Sequence, residues 1–541
     1  MEAAHPDRRV FATAPALIFA IIVAMALATA ILCGGRLTYA LDDPYISLSL
    51  AWHIGHGHYG LNAVEFASPS SSIAYPFLLA AFAWTPFQEW IPLIINSAAA
   101  TATTAIIAAL CARYCIGTRP AELMRTAFLI TALCVSINIA GLVFTGLEHS
   151  LHTFTSAATI YGLLRTLEDD EVPPWLVVVL ALNPLLRFEG AALTVLVILA
   201  LAITRHIRSA VAAFLTSAAG IGVYMWSMSS LGLPLLPSSV LIKTMDKRSE
   251  DPGLVSQVLH LLQHGAESIF NYAAHGLPIW IPAALVVLHP IVRARGGLRS
   301  GEKLPLTWAR ELILAAVVLG TIIAHALFGA FGGWFRYEIY VVVVTNMAAI
   351  ALWHRQVARW ISGASWRTVT ASAVIFLALC AFYVRCTILT PMAGRNIHEQ
   401  QFQMHRFAVD FYRRPVAVND LGWVSYRNPQ YVLDLWGLGS EAARRARLIT
   451  HQPGWMDDLS RQHNVGVAMI FPSWFPGQVP RGWHLLAHLR SAHPHISAAS
   501  DDVSIYATSD SAVPEALQAL HRYASSTSAS VAQIVFEPTS G

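Results

Sequence analysis

Long apolar stretches are the feature that most constrains how this chain folds, because they fill most of residues 1–391. About eleven of them are candidate membrane spans, at 13–34, 91–112, 126–146, 149–165, 174–187, 190–204, 209–231, 276–293, 309–331, 336–353 and 368–390. Only 12% of the 541 residues are charged, whereas soluble domains carry about 25%. The sequence therefore predicts an α-helical polytopic membrane protein that has the lipid bilayer as a partner.

The positions of the arginines predict which loops face the cytoplasm. Arg8 and Arg9 precede the first apolar stretch and place the N-terminus in the cytoplasm. Basic residues then recur in alternate loops, at 113–125, 165, 205–208, 293–310 and 355–367. The intervening loops, of which 35–90 is the first, are therefore predicted to lie outside the membrane.

Two segments decide this topology. The apolar run at 73–84 has about twelve residues, which is short for a span, so we expect a helix that lies on the outer surface. Arg187 and Glu189 interrupt a longer apolar run. Because charges at the depth of the bilayer are costly, we expect a helical hairpin that has these two residues at its outer tip.

The composition changes after residue 391. Residues 392–541 are polar apart from three short apolar runs, at 416–418, 431–435 and 466–471, which are typical of buried strands. Turn residues and helical patches separate them. We predict a small α/β domain outside the membrane, and we expect its last twenty or so residues, rich in serine and alanine, to be loosely ordered.

Charge and cysteine content add two expectations. A net charge of +3 gives no reason to expect a nucleic-acid partner. The six cysteines lie in or beside apolar segments, and their spacing indicates neither a disulfide framework nor a cysteine–histidine metal site.

The most unusual polar stretch follows the first span and begins with Asp42, Asp43 and Pro44. Pro44 fits the first turn of a helix, which places Asp43 where a helix cap lies. Capping is therefore the structural alternative to a catalytic role for Asp43, and Asp42 has no such alternative. Two adjacent carboxylates repel each other, which raises the pKa of one of them and suits a general base or a metal ligand.

The stretch from Asp42 onward also resembles a known family. Asp-Asp-x-Tyr-Ile after the first span, then Gly-x-Gly, an asparagine and a Ser-Pro segment, resembles the first external loop of GT-C glycosyltransferases. The branch it resembles most is that of the mycobacterial arabinofuranosyltransferases, membrane enzymes that use polyprenyl-phosphate sugars. In that family a carboxylate of this loop activates the acceptor hydroxyl. The resemblance therefore implies that Asp42 is the general base and that Asp43 assists it or holds a cation.

Further motifs match the family in the same order along the chain. They are Gly146-Leu147-Glu148, Leu186-Arg187-Phe188-Glu189-Gly190, Leu236-Pro237-Ser238 with Lys243, Arg336-Tyr337, and in the C-terminal part Asn419-Asp420-Leu421-Gly422 and Asp434-Leu435-Trp436-Gly437-Leu438. Lys243, Arg187 and Arg336 are candidates for binding the donor phosphate, because ammonium and guanidinium groups suit phosphate. The candidates for binding the sugar or the acceptor are Tyr45, His56, His58, Glu148, Glu189 and Tyr337.

The candidate cations each have a structural alternative. Arg187 has Glu189 as a potential ion-pair partner, and Arg336 has Glu338. Lys243 is also compatible with a side chain that extends along the membrane interface. The sequence leaves these alternatives open.

The aromatic candidates are equally open. His56 and His58 lack an evident third metal ligand, so hydrogen bonding to a sugar or plain loop polarity is favoured over a metal site. Five tryptophans of the C-terminal part are either core residues or surfaces on which a sugar stacks. These are Trp423, Trp436, Trp455, Trp474 and Trp483.

The sequence as a whole favours a GT-C-like glycosyltransferase in the cytoplasmic membrane of a bacterium. It would transfer a sugar, with arabinofuranose as one candidate, from a polyprenyl-phosphate donor to a glycan or glycoprotein acceptor outside the cytoplasm. Inversion at the anomeric carbon is expected, and a divalent cation is the only candidate cofactor. The alternatives are a transporter or flippase of lipid-linked saccharides, which predicts internal pseudo-symmetry, and a non-catalytic protein of envelope assembly, which would tolerate Asp42→Asn.

Overall fold

The computed structural model describes residues 10–114, 116, 119–245, 254–272, 275–300 and 306–538. Within these residues, most of the apolar stretches of residues 1–391 form helices. Arg8 and Arg9, which set the predicted topology, lie outside these residues. The helices of this part are α1 (Thr13–Leu32), α2 (Asp43–Gly55), α3 (Tyr75–Ala80), α4 (Ile91–Arg113), α5 (Pro120–Ser136), α6 (Ile139–Val143), α7 (His149–Asp169), α8 (Pro174–Leu186), α9 (Gly190–Ile203), α10 (Ile207–Ser230), α11 (Ser238–Met245), α12 (Leu254–Asn271), α13 (Leu277–Ser300), α14 (Leu306–Phe328), α15 (Ile339–Leu352), α16 (His354–Gly363), α17 (Trp366–Leu379) and α18 (Ala381–Glu399).

Five helices among the described residues are long and apolar enough to cross a membrane: α1, α4 with the turn before it, α10, α13 and α14. The number rises to seven if two bent pairs, α15 with α16 and α17 with α18, each form one span. The helices α8 and α9 are apolar but shorter. The predicted stretches thus coincide with helices, and the count of eleven spans stays a prediction.

The two segments that decided the predicted topology are both broken by turns. The run at 73–84 contains only the six-residue helix α3, followed by turns, so the expected surface helix is shorter than its apolar run. The chain leaves the α-helical conformation at Arg187, whose φ and ψ are −152° and 139°, and α9 begins at Gly190. Arg187 and Glu189 therefore lie between two short helices, as the hairpin interpretation expects.

The C-terminal part combines short helices with one sheet. Its elements are α19 (Gln401–Arg406), a π-helical segment (Phe407–Tyr412), β1 (Val416–Val418), α20 (Gly422–Ser425), β2 (Val432–Asp434), α21 (Glu441–Leu448), α22 (Trp455–Gln462), β3 (Val467–Ile470), β4 (His484–Ser491), β5 (Asp502–Ala507), α23 (Val513–Ser526) and β6 (Ala532–Phe536). The three predicted strands correspond to β1, β2 and β3. The expectation of a loosely ordered C-terminus is wrong up to residue 536, because β6 pairs with β4.

The sheet has the strand order β2-β1-β3-β5-β4-β6. The strands β2, β1 and β3 are parallel, and the other pairs are antiparallel. Along β1 and β3 the side chains alternate between two apolar cores, one with α23 and the other with α21 and α22. Burial on both faces explains why these strands read as continuous apolar runs rather than as alternating ones.

The sheet domain is joined closely to the helical part. The helix α18 passes through Pro391, so the predicted domain boundary after residue 391 falls inside a helix. Ile46 and Leu50 of α2 are buried in the core of the sheet domain. The side chain of Asn62 accepts from the N–H of Val432 at 2.9 Å and donates to its carbonyl oxygen at 3.0 Å, at the edge of β2. These contacts place the first loop between the helices and the sheet.

Candidate active site

A cavity of about 280 Å³ lies where the first loop, the helices and the sheet domain meet. Its walls come from α2, the serine segment of the first loop (residues 68–72), the start of α7, the tip between α8 and α9, α11, the turn before α15 and the loop after β2. The lining residues are Asp43, Ile46, Ser47, Pro69, Ser70, Ser71, Leu147, Glu148, His149, Arg187, Ser239, Ile242, Lys243, Arg336, Tyr337, Trp436 and Leu438. The cavity therefore brings together six of the residues predicted from sequence, namely Asp43, Glu148, Arg187, Lys243, Arg336 and Tyr337.

Asp43, Arg336, Tyr337 and Lys243 form one chain of polar contacts along the cavity wall. Arg336 Nη2 lies 2.5 Å from Asp43 Oδ2 and donates to Tyr337 Oη at 2.9 Å. Lys243 Nζ donates to the same hydroxyl at 3.3 Å. Arg336 thus pairs with Asp43 and not with Glu338, which accepts from Tyr383 Oη at 3.1 Å.

Lys243 is a cation of the cavity wall that no carboxylate of the described residues neutralises. No carboxylate of the described residues forms an ion pair with Lys243, although its Nζ lies 4.5 Å from the ring centroid of Tyr337. The guanidinium groups of Arg187 and Arg336 lie 5.4 and 4.9 Å from the same centroid. Three cations therefore surround one phenol, and an anion in the cavity would lie close to all of them.

Arg187 is held by two carboxylates at the floor of the cavity. Its Nη1 donates to Glu148 Oε1 at 2.6 Å and its Nη2 to Glu189 Oε1 at 2.6 Å. Nη1 also lies 2.9 Å from His149 Nε2. Partial burial disfavours the charged form of Glu189, but Arg187 outweighs this effect and lowers the pKa of Glu189. Arg187 therefore forms the predicted ion pair with Glu189 and also lies in the cavity wall. It is 1% exposed.

Asp42 points away from the cavity. It is 5% exposed, and its Oδ2 and Oδ1 accept from the N–H groups of Gly422 at 2.6 Å and Trp423 at 2.9 Å. A side chain at position 422 would overlap the Asp42 carbonyl oxygen, so glycine is required for this close approach. Burial and the neighbouring Asp420 carboxyl group raise the pKa of Asp42 well above its usual range. Asp42 therefore joins the sheet domain to the first loop, and it is the N-cap residue of α2, whereas Asp43, predicted at the cap, is the first helical residue.

The other candidates from the first loop also lie outside the cavity. Tyr45 is buried and stacks on Trp423, with ring centroids 3.9 Å apart. His56 Nδ1 donates to the carbonyl oxygen of Trp52 at 2.7 Å, and the ring lies against the rings of Trp52 and Trp84. His58 bonds the carbonyl oxygen of Glu65 at 2.9 Å. None of these three side chains lines the cavity, and their sugar-binding roles stay predictions.

The loop after β2 contributes the wall on the side of the sheet domain. Asp434 accepts from the N–H groups of Trp436 at 2.8 Å and Gly439 at 2.7 Å, and Gly437 provides the positive φ of 91° that this turn needs. Burial raises the pKa of Asp434 to about 6, although these N–H groups oppose the shift. Trp436 lies in the cavity wall, whereas Trp423, Trp455 and Trp483 are buried.

Several lining residues were not predicted as site residues. Ser70 and Ser71 belong to the serine segment that the motif included, and Ser71 Oγ donates to Glu148 Oε1 at 3.5 Å. His149 directly follows Glu148, so its position beside a predicted residue was the available signal. Leu438 ends the motif Asp434-Leu435-Trp436-Gly437-Leu438, so the motif was the signal, although the residue itself was not predicted to line the site.

The described residues contain no group of three or more histidine, cysteine, aspartate or glutamate side chains that could hold a metal ion. Asp43, the predicted cation ligand, forms an ion pair with Arg336. The binding of a cation by Asp43 stays a prediction from the sequence.

Comparisons with known proteins cover both parts of the chain. A family described as a domain of unknown function, DUF8728, matches residues 395–506, which contain α19 to β5. None of the curated proteins compared with the chain matches it in sequence.

Three solved structures illustrate what the fold is similar to. The oligosaccharyltransferase of Archaeoglobus fulgidus in complex with zinc and sulfate aligns with a TM-score of 0.46 at 13% identity, over 90% of this chain and 73% of that one. The oligosaccharyltransferase AglB from the same organism, in complex with an inhibitory peptide and a dolichol-phosphate, gives 0.41 at 10% identity, over 91% and 74%. ArnT from Cupriavidus metallidurans in the apo state gives 0.44 at 11% identity, over 91% and 98%.

Proposed function

We propose that this protein is a membrane glycosyltransferase that transfers one sugar from a polyprenyl-phosphate donor to a hydroxyl group of a glycan or glycoprotein. The observation that carries the proposal is that Asp43, Arg336, Tyr337 and Lys243 line one cavity at the junction with the sheet domain. A carboxylate for the acceptor and cations for a phosphate leaving group are the two requirements of such a transfer. We place the enzyme in the cytoplasmic membrane of a bacterium, with this cavity on the outer side.

Lys243 and Arg336 are proposed to bind the donor phosphate. Lys243 has no carboxylate partner among the described residues, so a phosphate can neutralise its charge without displacing an ion pair. Arg336 and Tyr337 present further donors on the same wall. Hydrogen bonds between charged partners are about twice as strong as neutral ones. As the sugar leaves, these groups stabilise the negative charge that grows on the phosphate.

Asp43 is proposed to be the general base in place of Asp42. Its side chain is 44% exposed at the cavity, whereas that of Asp42 is occupied by two backbone N–H groups. Asp43 accepts the acceptor's proton as the hydroxyl oxygen forms a bond to the anomeric carbon. The bond from that carbon to the phosphate oxygen breaks, and its electron pair leaves with the polyprenyl phosphate. Attack from the face opposite the phosphate inverts the configuration.

The sugar is proposed to lie between the polar wall and the loop after β2. Trp436 offers an aromatic surface, while Ser70 and Ser71 offer hydroxyl groups. The volume of about 280 Å³ is just below the ~300–1,000 Å³ typical of ligand pockets, which suits a single sugar unit. Arabinofuranose is the sugar that the resemblance of the first loop suggests, and cell-envelope assembly is the corresponding process.

Sugar transfer by purified wild-type protein and Asp43→Asn tests the proposal. The donors are polyprenyl-phosphate pentoses and hexoses, with decaprenyl-phosphate arabinofuranose among them. Loss of a general base typically costs about 10²–10⁴-fold in rate, and the isosteric amide can still accept from Arg336, so we expect this loss with an almost unchanged unfolding temperature. Asp43→Asn with wild-type activity would remove Asp43 as the base. A wild-type protein that moves a lipid-linked saccharide between leaflets but transfers no sugar would overturn the enzyme proposal. A product that retains the donor configuration would overturn inversion.

A further inference from the structure

A second cavity, of about 300 Å³, lies at the far ends of helices that begin at the candidate active site. The helix α7 starts at His149 in the first cavity and reaches Glu168 in the second, about 19 residues later. At ~1.5 Å per residue the two are about 29 Å apart along the helix axis, close to the ~30 Å thickness of a hydrocarbon core. With the spans that the sequence predicts, the second cavity lies at the membrane face opposite the first one.

The arginines around this cavity are the ones that the sequence places in the cytoplasm. Arg293, Arg310 and Arg355 line it, together with Glu168 and Glu311. They come from two predicted cytoplasmic loops, 293–310 and 355–367, and meet at one end of the helical part. The fold thus concentrates positive charge at one point of the face that the sequence predicts to be cytoplasmic.

The carboxylates of this cavity already have partners. Glu311 pairs with Arg293, and the carboxylate of Glu168 accepts from Arg113 Nε at 2.8 Å and from Tyr114 Oη at 2.5 Å. Neither is left to neutralise the remaining arginines.

Two guanidinium groups therefore have no counter-charge within the described residues. Arg310 Nη1 donates only to the carbonyl oxygen of Glu168, at 3.5 Å, and forms no ion pair there. Arg355 is exposed at the rim and likewise has no carboxylate partner in the described ranges. An anion in this cavity would be attracted by both guanidinium groups.

The helix that carries Arg355 has the form of an interfacial helix. The chain bends by 77° between α15 and α16, so α16 runs across the direction of the preceding helix. Arg355 and Arg359 are exposed on α16, Trp360 is exposed beside them, and Ile361 is buried. Basic and aromatic residues on a short amphipathic helix are typical of a segment that lies in the headgroup layer.

The remaining wall of the cavity is apolar. Leu164, Leu167, Leu314 and Leu352 line it next to the arginines. A free inorganic anion gains nothing from an apolar wall, whereas a phospholipid has both a phosphate and acyl chains. Basic pockets between membrane helices on the cytoplasmic side bind the headgroups of anionic lipids.

We propose that the second cavity binds the headgroup of an anionic phospholipid of the cytoplasmic leaflet, with Arg310 and Arg355 on its phosphate and the leucines against its acyl chains. This site is separate from the candidate active site and does not depend on the proposed reaction. The bound lipid is a structural lipid, which contacts the ends of α7, α13 and α15 and the start of α14 and stabilises their packing.

The test measures lipid binding to the purified full-length protein in a neutral detergent. Dioctanoyl-phosphatidylglycerol is titrated while the unfolding temperature is recorded, and dioctanoyl-phosphatidylcholine and glycerol 1-phosphate serve as comparison ligands. We expect stabilisation by phosphatidylglycerol alone. In Arg310→Gln/Arg355→Gln the apparent affinity should fall at least about tenfold, since a basic residue near a charged lipid surface contributes about 1 kcal/mol.

Arg359→Gln is the matched control, because it removes the same charge from the same helix at a residue that does not line the cavity. We expect it to bind phosphatidylglycerol within about twofold of wild type. If it weakens binding as much as Arg355→Gln does, the effect is one of general surface charge and the proposal fails. Equal stabilisation by phosphatidylcholine, or by glycerol 1-phosphate, would also overturn it. Arg355→Gln, with its exposed side chain, serves alone if the double variant does not fold.

Discussion

Removal of the Asp42 carboxyl group tests whether this residue holds the sheet domain in place. In Asp42→Ala the N–H groups of Gly422 and Trp423, now bonded at 2.6 and 2.9 Å, lose their acceptors. Each buried unsatisfied N–H costs about 1–3 kcal/mol. Relief of the repulsion with Asp420 offsets part of this cost. We expect a net loss of about 2–4 kcal/mol in the free energy of unfolding.

The assay is thermal unfolding of the purified protein, followed by tryptophan fluorescence because Trp423 lies at the junction. For a unit of 150–250 residues such a loss lowers Tm by about 5–12 °C. Asp42→Asn is the matched comparison, since its single amide oxygen can accept from one of the two N–H groups and its NH2 can donate to Asp420. We expect it to lower Tm by about half as much as Asp42→Ala does. Both variants should transfer sugar at temperatures at which they are folded.

Two results would refute this reasoning. Asp42→Asn that transfers no sugar at a temperature at which it is folded would make Asp42 the general base, as the sequence suggested. Asp42→Ala with an unchanged Tm would show that the two hydrogen bonds do not hold the sheet domain.

Three further predictions concern the phosphate site, the loop after β2 and the cation. Lys243→Met should raise the donor KM about tenfold with a smaller change in kcat, because a hydrogen bond to a charged group contributes about 1.5–3 kcal/mol; a donor titration with an unchanged KM would contradict this. Burial raises the pKa of Asp434 from 3.8 to about 6, so between about pH 4 and 6 the folded protein holds a proton that the unfolded chain releases. Its contribution to stability falls by up to about 3 kcal/mol as the pH rises through this window. The Tm of wild type minus that of Asp434→Asn should therefore be larger at pH 4.5 than at pH 7, and a constant difference would argue against the raised pKa. Transfer should be unchanged by EDTA because Asp43 is paired with Arg336; a loss that Mn²⁺ restores would make Asp43 a cation ligand.

Elements with a strong local signal could be predicted from the sequence. The apolar stretches are helices, and three strands lie where continuous apolar runs were seen, because strands buried on both faces leave no polar alternation. Six candidate residues from separate motifs line one cavity because the motifs follow different helix ends on one side of the predicted topology. The strands β4 and β5 were not predicted, since two histidines, an arginine, serines and an aspartate interrupt their apolar pattern. The strand β6 lies in the C-terminal stretch that was expected to be loosely ordered.

It could not be predicted that Asp43 lines the cavity whereas Asp42 contacts the sheet domain. Neighbouring residues at a helix start point in directions about 100° apart, and the local sequence does not say which direction faces a ligand. The choice is made by Gly422, which approaches Asp42 from 380 residues further along the chain. His56 and His58 illustrate the same limit, because a glycine-rich loop does not reveal that backbone carbonyl groups will satisfy both rings.

The contribution of Trp436 and Leu438 to the cavity wall has a consequence for biosynthesis. A chain is made from its N-terminus, so Asp43, Arg187 and Arg336 are synthesised well before the sheet domain is complete and can fold. Until then the first loop lacks the partner that Asp42 holds, and the cavity is open on one side. If the proposed function is correct, a nascent or truncated chain would be unable to enclose the donor sugar.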